Sequence, residues 1–189
     1  MMRILARPLL FVVITLALPL SVGCSGLFSD PHKQANASVS KANEAINEHN
    51  RLFEEARTTY TEAKQAIESK EDPSEETERV TQIRETMEGA QGSLSEAKQP
   101  LDEMQDLNVE PEIKEYSALL SEGLDTQISA EGQEIEYYRI LEEDPGLDTG
   151  RDKALGILSD VSDGYQKAKD TYKRAQELAD ANPKLIKQS

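Results

Sequence analysis

Apolar and small residues recur along most of the chain at alternating steps of three and four, which is the spacing of a helical seam. The first seam follows Asp30-Pro31, a capping residue and a proline at the first helical position. The pattern predicts one helix over about residues 31–70, with His49 filling the one gap. The seam residues are Ala35, Val39, Ala42, Ile46, Phe53, Ala56, Tyr60, Ala63 and Ile67.

A second seam follows the break that ends at Ser74, a residue that can cap the next helix. Its steps of three and four continue without a gap and predict a helix over about residues 74–106. Because proline lacks the backbone N–H that a helix interior needs, we expect a kink or a restart at Pro100. The seam residues are Val80, Ile83, Met87, Ala90, Leu94, Ala97, Leu101 and Met104.

Two further seams lie on either side of a loop that runs from Asp144 to Gly150 and is the clearest turn signal in the chain. The third seam, over about residues 111–143, drifts around its helix through successive steps of four. The fourth covers about residues 150–182 and is followed by a tail at 184–189. The third contains Ile113, Tyr116, Leu120, Leu124, Ile128, Ile135, Tyr138 and Leu141, and the fourth contains Ala154, Leu158, Val161, Tyr165, Ala168, Tyr172, Ala175 and Ala179.

Four amphipathic helices joined by short turns must each bury one stripe, and short turns make neighbours antiparallel. We therefore expect an all-α fold over residues 31–183, an elongated antiparallel up-down-up-down four-helix bundle with coiled-coil-like heptad packing. Alanine alternates with bulkier residues along three of the seams, which allows close helix approach beside filled layers. An extended antiparallel coiled coil with a partner subunit is the alternative arrangement.

Residues 1–23 have the order of a secretory signal, with Arg3 and Arg7, then an apolar run from Leu9 to Leu20, then small residues. This run is shorter than the roughly 20 apolar residues that a membrane-spanning helix needs. We therefore interpret the segment as an export signal and not as a permanent transmembrane helix.

The signal ends in Leu20-Ser21-Val22-Gly23-Cys24, which resembles the lipobox of bacterial lipoproteins, although Ser21 stands where that family prefers Leu, Val or Ile. The resemblance implies a diacylglyceryl group on Cys24 and cleavage of the signal between Gly23 and Cys24. Residues 24–30 then form the lipidated cysteine and a short tether. The resemblance implies a location in the bacterial cell envelope, on the extracytoplasmic face of a membrane.

Ordinary signal cleavage after Gly23 is the alternative, since Ser21 and Gly23 also suit a small-x-small cleavage site. Cys24 is the only cysteine of the chain and has no partner for an internal disulfide. A single thiol in an exported protein needs an explanation, and lipidation supplies one.

The formal net charge of −15 argues against a nucleic-acid partner, because phosphates are bound by Lys and Arg. The sequence has no Gly-Lys-Ser/Thr phosphate loop, no Gly-x-Ser-x-Gly elbow and no Glu-x-x-His pairs for a di-iron site. We therefore expect no enzyme activity, no cofactor and no metal. His49 is expected to pack in its seam, and the seam tyrosines are expected to fill the core.

The tether sets an orientation in which the turns near residues 72 and 147 are far from the membrane. Acidic residues gather at this distal end, including two at a helix C-terminus, where negative charge is unfavourable. A solvated acidic face is the default interpretation, and an interaction surface for a basic partner or a divalent cation is the alternative. The residues of this surface are Glu142, Glu143, Asp144, Asp148 and Asp152.

Together these patterns predict a non-catalytic envelope lipoprotein that is a structural or protein-interaction module. Its partners are expected to be the bilayer, through acylated Cys24, and another envelope protein or a cell-wall component. In general character it is similar to small helical lipoproteins described as cell-wall-binding proteins. The alternative is a ligand-binding bundle with an apolar cavity beside the third helix. Converging carboxylates with displaced pKa values in a cleft would instead indicate an enzyme.

Overall fold

The computed structural model describes residues 30–68 and 76–183, with the side chains of 67 and 68 left out. The signal, Gly23, Cys24, most of the tether and the C-terminal tail lie outside these described residues. Within them, no helix combines the length and apolarity needed to cross a bilayer. The helices are α1 (Pro31–Glu68), α2 (Thr77–Glu103), α3 (Pro111–Glu143) and α4 (Arg151–Ala181), and a short 3₁₀ turn (Met104–Asp106) follows α2.

The start of α1 is built as the sequence predicts. Asp30 caps it, because its carboxylate accepts a hydrogen bond of 3.0 Å from the backbone N–H of His32. Each helix then packs along its neighbour in the chain, α1 on α2, α2 on α3 and α3 on α4. The protein is an all-α antiparallel four-helix bundle, which confirms the fold predicted from the seams.

The bundle is asymmetric around its axis. In the described ranges, no Cα atom of α1 lies within 8 Å of a Cα atom of α3 or α4. Long side chains bridge this gap, among them Phe53 of α1, whose ring meets the ring of Tyr165 of α4 edge-on at 6.2 Å between centroids. Helix α1 is therefore held to α2 by close packing and to the other two helices by side chains.

The buried apolar residues form two clusters, one at each end of the bundle. The proximal cluster, at the end where α1 begins, contains Ala35, Val39, Ala42, Ile46, Leu94, Ala97, Leu101, Met104, Ile113, Tyr116, Leu119, Leu120, Leu124, Ala168, Tyr172, Ala175 and Ala179. The distal cluster contains Ala56, Ala63, Val80, Ile83, Met87, Ile135, Tyr137, Tyr138, Ile140, Leu141 and Ala154. Each cluster draws on all four helices, as an antiparallel arrangement requires.

One sequence expectation is narrowed and another is wrong in detail. Of the kink or restart expected at Pro100, the restart is excluded, because helix α2 runs unbroken through this buried proline to Glu103. Leu158, assigned to the fourth seam, is 38 % exposed, whereas the neighbouring Ile157 packs against the distal cluster. The seam of α4 therefore steps from Ala154 to Ile157 by three positions, not by four.

Candidate functional site

Polar side chains occupy the centre of the bundle, between the two apolar clusters. We call this group the polar layer, and its members are His49 of α1, Glu131, Glu134 and Tyr138 of α3, and Tyr165 of α4. The ionisable groups are deeply buried, with 3 % of His49, 0 % of Glu131 and 6 % of Glu134 exposed. Burying charge is costly unless it is paired, so these contacts determine what the layer can do.

His49 and Glu131 make the central contact, with 2.8 Å between Nε2 and Oε1. The other ring nitrogen, Nδ1, lies 3.1 Å from Oδ1 of Asn50. Both ring nitrogens therefore have an oxygen atom within hydrogen-bond distance. Glu131 Oε1 also accepts a hydrogen bond of 3.0 Å from Gln127, while its Oε2 is buried without a hydrogen-bond partner.

Glu134 lies one turn further along α3 and is bound by two hydroxyls. Tyr138 donates to its Oε1 at 3.2 Å, and Tyr165 donates to its Oε2 at 2.8 Å. Burial raises the pKa of Glu134 above its ordinary value, and the nearby Glu131 acts in the same direction. The hydroxyl donors and the charge of Arg57 oppose this rise without cancelling it.

Aromatic side chains surround the polar layer on the side of α1. Phe53 stacks on the His49 ring at 5.4 Å between centroids, and the Arg57 guanidinium lies 5.4 Å from the centre of the Phe53 ring.

Burial raises the pKa values of Tyr138 and Tyr165 well above their usual range. Both phenols are thus neutral hydrogen-bond donors, as the contacts to Glu134 require.

Two grooves lined by described residues lie outside the polar layer. One groove runs between α3 and α4 and is open to solvent, with Asp125, Ser129, Gln133, Asp160, Asp163 and Lys167 in its lining. Another lies between α1 and α2, beside Lys41, Glu44 and Glu103. In residues 30–68 and 76–183, no three His, Cys, Asp or Glu side chains are grouped closely enough to hold a metal ion.

The predicted acidic surface contains two kinds of residue. Glu142 is bound by Arg84 at 2.9 Å, a contact between α3 and α2 that explains its place at a helix C-terminus. Glu143, Asp148 and Asp152 are exposed. The surface that remains open to a partner is therefore formed by these three carboxylates.

Asp144, the fifth predicted residue, closes the loop between α3 and α4. Its carboxylate accepts hydrogen bonds from the backbone N–H groups of Asp148, Thr149 and Gly150 at 2.8–2.9 Å, and from the Thr149 hydroxyl. These donors, with Thr149 and Gly150 foremost, hold the pKa of Asp144 far below its usual range. Asp144 therefore shapes the loop that displays its acidic neighbours.

The sequence analysis did not identify Glu131 and Glu134 as buried residues. A signal for them exists in the third seam, where the apolar positions stop at Ile128 and resume at Ile135. Glu131 fills that gap as His49 fills the gap of the first seam, and the two gaps meet at the same level of the bundle. Neither gap alone predicts the contact.

Comparison with known proteins yields no relative. No protein-family profile, no curated protein sequence and no solved structure matches the chain significantly.

Proposed function

We propose that this protein is a non-catalytic bacterial envelope lipoprotein that acts as a structural or protein-interaction module. Cys24, after its acylation, would hold it on the extracytoplasmic face of a membrane. Support for the anchor comes from the lipobox-like Leu20–Cys24 and from the absence of any second cysteine. The bundle begins at Pro31, so the tether is short and the helices stand close to the bilayer.

Burial of the reactive groups is the observation that most favours a module without catalysis. His49 contacts Glu131, Glu134 is bound by two tyrosine hydroxyls, and at most 6 % of each of these three residues is exposed. A general acid or base must reach the proton of a substrate, within hydrogen-bond distance or through one water. Groups held in a closed core instead tie the helices together.

The ligand-binding alternative needs an enclosed apolar cavity beside α3. One groove along α3, between α3 and α4, is open and carries Asp125, Asp160, Asp163 and Lys167. Such a lining does not suit an apolar small molecule. We therefore favour interaction through the outer surface.

The partner would meet the distal end of the bundle, where Glu143, Asp148 and Asp152 are exposed. We propose a basic surface of another envelope protein or a cell-wall component as the partner. Asp144 holds the loop in shape, so the exposed carboxylates are presented on a fixed frame. Fixed charges lower the ordering cost of binding.

Two variants test the two halves of this proposal in intact cells. Cys24→Ala should no longer be found in the membrane fraction. Its helix content, measured by circular dichroism, should equal that of the native chain. A variant that is as membrane-bound as the native protein would refute the lipid anchor.

The interaction surface is tested separately by in-cell crosslinking. The variant Glu143→Gln, Asp148→Asn, Asp152→Asn should lose the crosslinked partner. The matched control removes three acidic side chains at the opposite end, with Asp106→Asn, Glu112→Gln and Glu115→Gln, and should retain it. If both variants captured the crosslinked partner equally well, the distal acidic surface would not be the site of interaction.

A further inference from the structure

The carboxylate of Glu131 has one oxygen that is bound and one that is not. Its Oε1 lies 2.8 Å from Nε2 of His49 and accepts a hydrogen bond of 3.0 Å from Gln127. Its Oε2 is buried as well, and within the part of the chain that the structure describes no hydrogen-bond partner reaches it. The whole residue is shielded from solvent. Bulk water therefore does not satisfy Oε2 from outside.

A buried oxygen of this kind needs a partner whatever the protonation state of the carboxyl group. As a carboxylate or carbonyl oxygen, Oε2 needs a donor, and as a hydroxyl it needs an acceptor. Leaving such an atom unsatisfied costs the desolvation of the group. In folded proteins, most buried side-chain oxygens are bonded to protein atoms or to ordered water. Water both donates and accepts, so it suits each state.

Helix α4 offers this water further partners. Tyr165 donates its proton to Glu134 at 2.8 Å, and Tyr172 donates its proton to Gln127 at 3.0 Å. Each phenol oxygen keeps lone pairs that can accept another hydrogen bond. Burial raises the pKa values of both phenols, and the nearby charge of Glu131 adds to the rise. Both phenol oxygens therefore lie in the neighbourhood of Glu131.

The space around Glu131 is spanned by side chains on the side of α1. In the described ranges, no Cα atom of α1 comes within 8 Å of α3 or α4. Close backbone packing therefore does not fill this level of the bundle, and a polar space between side chains is where buried waters occur. A metal ion is a less suitable occupant, because the described chain groups no three His, Cys, Asp or Glu side chains closely enough to hold one.

We propose that Glu131 Oε2 is the binding site of one ordered water molecule, which bridges it to the phenol oxygen of Tyr165 or Tyr172. The water completes a hydrogen-bonded path from His49 of α1 through Glu131 of α3 to α4. Three helices are thereby joined at one level of the bundle. The site belongs to the folded bundle and does not depend on the lipid anchor.

Oxygen-17 relaxation dispersion of the solvent tests the site on the full-length chain in detergent. It counts long-lived internal waters, and exchanging hydroxyl protons do not contribute to it. The native chain should hold one more such water than the double variant His49→Leu, Glu131→Leu. Glu115→Gln removes an exposed carboxylate from the same helix and should keep the native number. Equal numbers in the native chain and the double variant would overturn the proposal.

Two tyrosine variants test the bridge to α4. Tyr165→Phe or Tyr172→Phe should shorten the residence time of this water, because one of them removes the oxygen that accepts from it. Tyr116→Phe changes a buried tyrosine of the proximal cluster and should leave the residence time unchanged. An unchanged residence time in both of the first two variants would overturn the bridge.

A crystal structure of the full-length chain checks the site without any substitution. A water oxygen should lie about 2.5–3.0 Å from Glu131 Oε2. A protein donor at that position, or an Oε2 in contact with apolar atoms alone, would overturn the proposal.

Discussion

His49 of α1 and Glu131 of α3 meet in the centre of the bundle, 82 positions apart in the chain and 2.8 Å apart between Nε2 and Oε1. Each stands in its helix at a seam position that an apolar residue would otherwise fill. The pair thus replaces part of a dry core with one specific contact. Such a contact fixes which helix faces which more than it adds to stability.

Removing one partner of this pair should be far more harmful than removing both. Glu131→Ala leaves Nε2 of the buried His49 ring without its partner, and we expect a loss of roughly 1–3 kcal/mol in the free energy of unfolding. The double variant His49→Leu, Glu131→Leu joins the two apolar clusters and should be about as stable as the native chain. Urea unfolding measures the free energy of unfolding of both variants. The pairing would be contradicted if the double variant lost as much free energy of unfolding as His49→Leu and Glu131→Leu lose together when each is made alone.

Glu134→Gln should change the pH dependence of stability with a defined sign. The folded-state pKa of Glu134 is raised by burial, so its contribution is fully present below the unfolded value of about 4.3 and is lost as the pH rises through the folded value. The variant should therefore gain stability relative to the native chain as the pH rises from 4 to 8. Urea unfolding at each pH gives the difference.

Glu115→Gln serves as the control for Glu134→Gln, because Glu115 is exposed on the same helix. Its stability difference from the native chain should stay flat over this range. If both variants give the same curve, then burial of Glu134 does not govern the effect.

Two glycine substitutions should have opposite effects. A Cβ atom at Gly123 would lie 2.3 Å from the ring of Tyr172, whose hydroxyl is held by Gln127 at 3.0 Å. Overpacking typically costs 1–3 kcal/mol, which exceeds the roughly 1 kcal/mol that alanine gains in a helix. Gly123→Ala should therefore lower the thermal midpoint. At exposed Gly92, where a Cβ atom would meet nothing within 4 Å, Gly92→Ala should raise it.

Asp144→Ala should loosen the loop between α3 and α4, because four hydrogen bonds to one carboxylate are lost. Asp148→Ala removes an exposed carboxylate and keeps the backbone donor, so it serves as the control. The depressed pKa of Asp144 means that its contribution is present above about pH 4 and is lost as the pH falls through the folded value. The difference in thermal midpoint between Asp144→Ala and the native chain should therefore shrink in strong acid. A constant difference would contradict the role of the ionised carboxylate.

Helix positions could be predicted from the sequence because a seam is a local pattern. The spacing of three and four encodes which face of each helix is buried, and the capping at Asp30 and the turn after Asp144 encode where two helices begin and end. The third helix, read as the least regular, turns out to be the most buried, with sixteen residues in the core, including Glu131 and Glu134.

The polar layer could not be predicted in the same way. Which residue of α3 faces His49 depends on the register between helices, and periodicity within one helix does not encode that register. The exposure of Leu158 has the same origin, because both it and Ile157 fit the period of α4 and only packing distinguishes them.

Mass spectrometry of the N-terminal peptide, from the full-length protein isolated from bacterial membranes, tests the anchored-module proposal most directly. We predict a peptide that begins at Cys24 and carries the mass of a diacylglyceryl group on its sulfur, with no such peptide from Cys24→Ala. A peptide that begins at Cys24 with a free thiol, or one that still carries residues 1–23, would contradict the account.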